Sequence, residues 1–182
     1  MNGCRAFPLD PAIKTEIDHV LVALGAPDLL EGVTAAELTP LLAEIRMTLL
    51  LNTQLLLSPA RTGWTHTEAE LLQSIGEVSA SFPNALLQTL PRLEGLAQRL
   101  ESPDGAVLDV GVGVGAIAIA MARMWPRLRV VGIDPWRPSL AIARDNVQTA
   151  RVGARIELRE QATGALRYAG LRSGVVPQLF HR

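Results

Sequence analysis

The sequence predicts an α/β protein of 182 residues: an N-terminal α-helical region followed by a βαβαβ unit with strand order 3-2-1. Three observations predict it. Apolar residues recur at helical spacing through about residue 100, and short apolar runs alternate with helical segments from Ala106 onward. The first of those runs, Val107 to Val110, leads into the alternating glycines Gly111, Gly113 and Gly115, an arrangement that brings bare backbone against a small ligand.

Asp10-Pro11 reads as an N-cap followed by proline at the first helical position, and Ile13, Ile17, Val20, Leu21 and Leu24 form a stripe that stops at Gly25. A second helix opens at the capping-box spacing of Thr34 and Glu37, with Thr39-Pro40 as a competing start, and runs to about residue 57. Its leucine-rich face is read as core or as a dimer interface. Thr67 to Glu70 predicts another box and helix, broken at Phe82-Pro83, and a last stretch bent near Pro91 runs from about Asn84 to Leu100. The strands are expected at Ala106 to Val110, buried, then Arg129 to Ile133 and Arg155 to Arg159. Helices at Ala116 to Met124 and Pro138 to Ala150 connect them. The division that follows is a helical extension over 1–100, serving as lid, acceptor pocket or dimerisation element, a ligand-binding half domain over 101–161, and an irregular tail over 162–182.

Composition excludes more than it assigns. At 48% hydrophobic the chain buries a core, and a net charge of −1 gives no electrostatic case for nucleic acid. No apolar run is long enough for a membrane span and no signal-peptide layout opens the chain, so the expectation is a cytoplasmic protein with no membrane partner. Cys4 stands alone, and His19, His66 and His181 share no ligand spacing, so no metal site is expected.

Gly111-x-Gly113-x-x-Ala116 satisfies the relaxed dinucleotide fingerprint, which keeps a nicotinamide-dependent oxidoreductase open. Asp109 argues against it: a carboxylate two residues before the first glycine repels a pyrophosphate and suits a ligand carrying ammonium and sulfonium charge. With Asp109, the glycine run and Asp134 at the end of the second strand, the chain resembles class I S-adenosylmethionine-dependent methyltransferases over about residues 84–161. The resemblance implies a Rossmann-like half domain that binds S-adenosyl-L-methionine. Gly111, Gly113 and Gly115 would approach its methionine part, Asp109 would hold the amino group, and Asp134 would accept from the ribose hydroxyls. Pro135 and Trp136 would lie near the adenine face, with Gln161 at its edge, where the family often has Asp. A side-chain amide still accepts a hydrogen bond there.

Methyl transfer to a small-molecule O or N acceptor is the activity the resemblance implies. No catalytic residue is assigned, because the family's acceptor-side residues follow later strands and this chain carries three. The sequence therefore also reads as truncated, a non-catalytic fragment that binds the cofactor weakly or oligomerises. A homodimer through the N-terminal helices is the expected self-association. The tail, acid-free from Ala162 to Arg182, also reads as an out-of-frame extension, since a one-nucleotide shift of a permitted back-translation restores acids and a Trp-Tyr-Pro-Ser turn.

Overall fold

A computed structural model describes residues 10–29, 31–60 and 62–165. Cys4, His181 and most of the tail expected over 162–182 lie outside the described residues. The chain divides into two compact units, Met1–Thr39 and Pro40–Arg182.

In the first unit, α1 (Pro11–Ala23) starts as its sequence requires: the Asp10 side chain accepts from the Ala12 amide at 2.8 Å, and Pro11 occupies the first turn. Helix α2 (Ala35–Leu57) begins in the first unit and continues into the second, with the Thr34 carbonyl accepting from the Leu38 amide. Pro40 therefore lies inside the helix and does not open it. The leucine-rich face of α2 is not core: Leu41, Leu42, Ile45 and Leu49 are exposed, and Ala43 is its buried apolar residue. Arg46 ties α2 to the next helix through Glu70 at 2.9 Å and Glu77 at 3.6 Å.

Within the second unit, α3 (Ala69–Ser79) and α4 (Phe82–Thr89) are separated at the expected break, and Pro83 falls in the first turn of α4. The box expected at Thr67 does not form. Glu68 is the N-cap, without a side-chain cap bond, and its carboxylate accepts from the Thr67 amide at 2.9 Å. The single bent helix expected up to Leu100 is also interrupted. A 3-10 turn at Leu90–Arg92 and Gly95, at φ +74°, separate α4 from α5 (Leu96–Glu101).

The βαβαβ unit follows its sequence closely. Strands β1 (Ala106–Val110), β2 (Arg129–Asp134) and β3 (Ile156–Glu160) form a parallel sheet in the order β1-β2-β3, which is the expected 3-2-1 read from the other edge. Val107 pairs with Val130, and Val130 with Ile156. Helices α6 (Ala116–Met124) and α7 (Arg137–Thr149) make the crossovers. Small residues let α6 sit close: Ala118 and Ala122 are fully buried in a cluster with Leu128, Val130 and Leu140. Burying each of the larger side chains contributes about 1.5–3 kcal/mol. Arg155 closes the far end of α6, donating to the Ala122 and Trp125 carbonyls.

Strand β1 is not buried as expected. Leu108 and Val110 are 41% and 47% exposed, because with Ala106 they lie on one face of the strand, which no described element covers, while Val107 and Asp109 point to the other. The centre of the sheet is tight by contrast. A Cβ on Gly132 would stand 2.6 Å from Val112 Cγ2 and 3.0 Å from Leu158 Cδ2, so the absent side chain of β2 is what lets Val112 fold down over the strand.

Candidate functional site

The carboxyl ends of the three strands are knotted together by backbone bonds. The Gly111 and Val112 amides both donate to the Ile133 carbonyl, at 2.8 and 3.0 Å. Asp134, at the end of β2, takes the next two: its Oδ2 accepts from the Gly113 amide at 2.9 Å and its Oδ1 from the Trp136 amide at 2.7 Å. Its carbonyl accepts from the Gln161 amide at 3.1 Å, which adds the end of β3. Asp134 is thus a buried carboxylate with one bond on each oxygen and lone-pair capacity remaining on both.

The loop can make these turns because of its glycines. Gly111 and Gly113 hold φ at +75° and +53°, where a side chain is strained, and a Cβ on Gly111 would meet nothing within 4 Å. Bare backbone faces open space there. Gly115, at φ +81°, opens α6 and packs against Ala143.

Asp109 lies beneath the loop. Its Oδ2 is buried and has no hydrogen-bond partner. Burial, and then the charge of Asp134, push its carboxyl up to about 6, with the Ala118 amide pulling weakly the other way. An orphaned acidic oxygen of this kind is costly unless a donor completes it, so its place is suited to a cationic group.

Of the remaining residues singled out by the sequence, Pro135 is exposed and Trp136 half-buried. The Trp136 indole donates to the His66 carbonyl at 2.7 Å, and the Trp64 and His66 rings meet edge to face with centroids 5.0 Å apart. Trp136 is therefore tied to the segment before α3. Gln161 joins the site through its backbone.

Sequence reasoning offered a lid among the first hundred residues and assigned no residue to it. Trp64, Leu72, Ile75 and Ser79 close over Asp109 and the glycine loop, leaving a cavity of about 90 Å³. Sites for drug-sized ligands run to roughly 300–1,000 Å³, so a nucleoside-sized ligand requires the roof to shift. The one local sign of this packing was a glycine inside a helix. A Cβ on Gly76 would stand 2.2 Å from Val114 Cγ2, so α3 rests directly on the loop. Gly76→Ala should destabilise the chain by about 1–3 kcal/mol through overpacking, more than the roughly 1 kcal/mol that alanine returns in helix propensity. Thermal unfolding followed by circular dichroism checks this; an unchanged or raised Tm would refute the contact.

A methyltransferase-domain family model matches residues 107–174, from the start of β1 past the end of β3. This segment is thus similar to methyltransferase domains, in keeping with the resemblance to class I S-adenosylmethionine-dependent methyltransferases. The segment is similar to the release factor glutamine methyltransferase of Geobacter sulfurreducens, 46% identical over 55 residues, which is 30% of this chain and 19% of that protein. It also resembles the ribosomal protein L11 methyltransferase of a Caulobacter species, 47% identical over 49 residues, or 27% of this chain and 17% of that protein. The matches thus span about a fifth of those relatives' length. Among solved structures, an O-methyltransferase family protein from Burkholderia thailandensis aligns with 83% of this chain and 50% of its own, at 15% identity and a TM-score of 0.49. Among the described residues, no helix is long and apolar enough to cross a membrane.

Proposed function

We propose that the chain binds S-adenosyl-L-methionine at the carboxyl ends of β1 and β2 and serves methyl transfer to a small-molecule O or N acceptor. The observation that carries this reading is the buried, partnerless Oδ2 of Asp109 under a glycine loop whose backbone faces open space. A pyrophosphate would meet repulsion at that oxygen; the ammonium of a methionine moiety would complete it. Gly111, Gly113 and Gly115 admit the chain of the ligand, Asp134 has capacity left for the ribose diol, and Pro135, Trp136 and Gln161 flank the adenine.

The cofactor, when bound, supplies a sulfonium methyl that is already activated. What remains for this chain's residues is positioning and exclusion of water. Trp64, Leu72, Ile75 and Ile117 provide apolar walls, and Ser79 and Ser139 are the hydroxyls beside Asp109 in the same cavity. The exposed leucines of α2 support association of two copies through the N-terminal helices.

The exposed face of β1, with Leu108 and Val110 open, favours a second reading in which the chain holds the cofactor without turning it over. Calorimetric titration of the 182-residue chain with S-adenosylmethionine and with NAD, followed by transfer of labelled methyl to an acceptor panel, tests both. Heat with the methyl donor and none with NAD is the expected result. Binding of NAD alone would overturn the proposal, and labelled product would exclude the non-catalytic reading.

A further inference from the structure

One amide pair joins the roof of the cavity to its floor. Gln73 on α3 and Asn146 on α7 exchange two hydrogen bonds, Gln73 Nε2 to Asn146 Oδ1 at 3.0 Å and Asn146 Nδ2 to Gln73 Oε1 at 3.1 Å. The same Asn146 Nδ2 donates to the Val114 carbonyl at 2.9 Å, inside the glycine loop. Both side chains are partly buried, so these bonds are shielded from competing water. On α3, Gln73 lies three residues before Gly76, on the same helix face, and Gly76 is where the helix backbone meets Val114. Leu72 and Ile75, beside them, line the cavity. One helix therefore presents apolar walls to the ligand space and is held to the loop at two adjoining points.

We infer that Gln73 and Asn146 are positioning residues that lock the glycine loop and the roof helix α3 into one arrangement, so that cofactor binding and placement of α3 over the acceptor space are coupled. The inference rests on the cofactor reading above for its ligand, although the lock itself is a property of the ligand-free chain. Asn146 acts on the loop by fixing the Val114 carbonyl. That orients the peptide between Val114 and Gly115, and through the Gly115 amide, which donates to the Val112 carbonyl at 2.8 Å, it sets the turn that Gly113 occupies. Gln73 occupies both polar ends of the Asn146 amide, which holds its NH2 toward Val114. A roof shifted to admit a nucleoside must break the pair or carry the loop with it.

Gln73→Leu removes the pair and keeps Asn146, whose amide is then no longer held toward the Val114 carbonyl, and it is a mild change at a helix position. Hydrogen exchange on the ligand-free, full-length variant gives the first readout. Exchange at the Gly113 and Gly115 amides should rise by about fivefold or more, along with that of α3, while the β2 and β3 amides keep their wild-type rates. Faster exchange in α3 alone would mean that Gln73 merely staples one helix, and would overturn the coupling. A calorimetric titration with S-adenosylmethionine gives the second readout, with about a fivefold or greater loss of affinity expected in Gln73→Leu. If the wild-type chain takes up no S-adenosylmethionine while its loop amides respond to Gln73→Leu, the cofactor reading falls and the lock stands. If the wild type binds and the variant changes neither loop exchange nor affinity, the lock falls and the cofactor reading stands.

Discussion

An Asp134→Ala chain should lose measurable S-adenosylmethionine binding and should also unfold at a lower temperature. The two effects have separate causes. The carboxylate accepts from the Gly113 and Trp136 amides, and bonds to a charged acceptor are worth about 1.5–3 kcal/mol each. Alanine leaves both amides without that acceptor and lets the loop relax. Loss of the ribose acceptor then removes a comparable amount from binding, which at about 1.4 kcal/mol per tenfold is a hundredfold or more in affinity. Asp134→Asn separates the effects. It keeps one carbonyl oxygen for one of the amides, so it should retain more of the thermal stability while binding the ligand as poorly as alanine does. Scanning calorimetry and titration calorimetry on the two variants read this directly. Wild-type affinity in either variant would remove Asp134 from the site.

The second large effect is a pH dependence set by Asp109. Burial first, and the charge of Asp134 second, raise its carboxyl from an ordinary 3.8 to about 6. A cationic ligand binds the ionised form, so affinity for S-adenosylmethionine should fall about tenfold for each pH unit below 6 and level off above about 7. Stability of the ligand-free chain moves the opposite way. A carboxyl whose folded value is raised contributes stability that is fully present below 3.8 and is lost as the pH rises through about 6. Acidifying from 7 to 5 should therefore weaken binding while relieving the ligand-free fold of a buried charge. Asp109→Asn should flatten both slopes and leave a weak, pH-independent affinity. Binding that strengthens on acidification would contradict the proposed role of Asp109.

The parts legible in the sequence were those dictated by local chemistry. The βαβαβ unit ran true to within about a residue because each strand is a short apolar run bounded by Gly, Pro or charge, and α1 because Asp10-Pro11 states its own cap. Asp109, Asp134 and the glycines were visible because an acid and alternating glycines at a strand end have few other uses. The misreadings have physical causes. The turn at Leu90–Arg92 breaks what periodicity alone joins, whereas α2 starts at the Thr34 box the sequence offered and carries the competing Pro40 inside it. The exposure of Leu108 and Val110 depends on what packs over their face of the sheet, which no residue of β1 records. Gln73 and Asn146 went unseen for a related reason: they meet across 73 positions, and neither has a local motif.

The crystal structure of the 182-residue chain with bound S-adenosylmethionine tests the proposed site most directly. The predicted result is the ribose diol on Asp134, the methionine ammonium at hydrogen-bonding distance from Asp109 Oδ2, and the chain of the ligand running over Gly111 and Gly113 beneath α3. A ligand seated elsewhere, or one that leaves Asp109 Oδ2 without a donor, would contradict it.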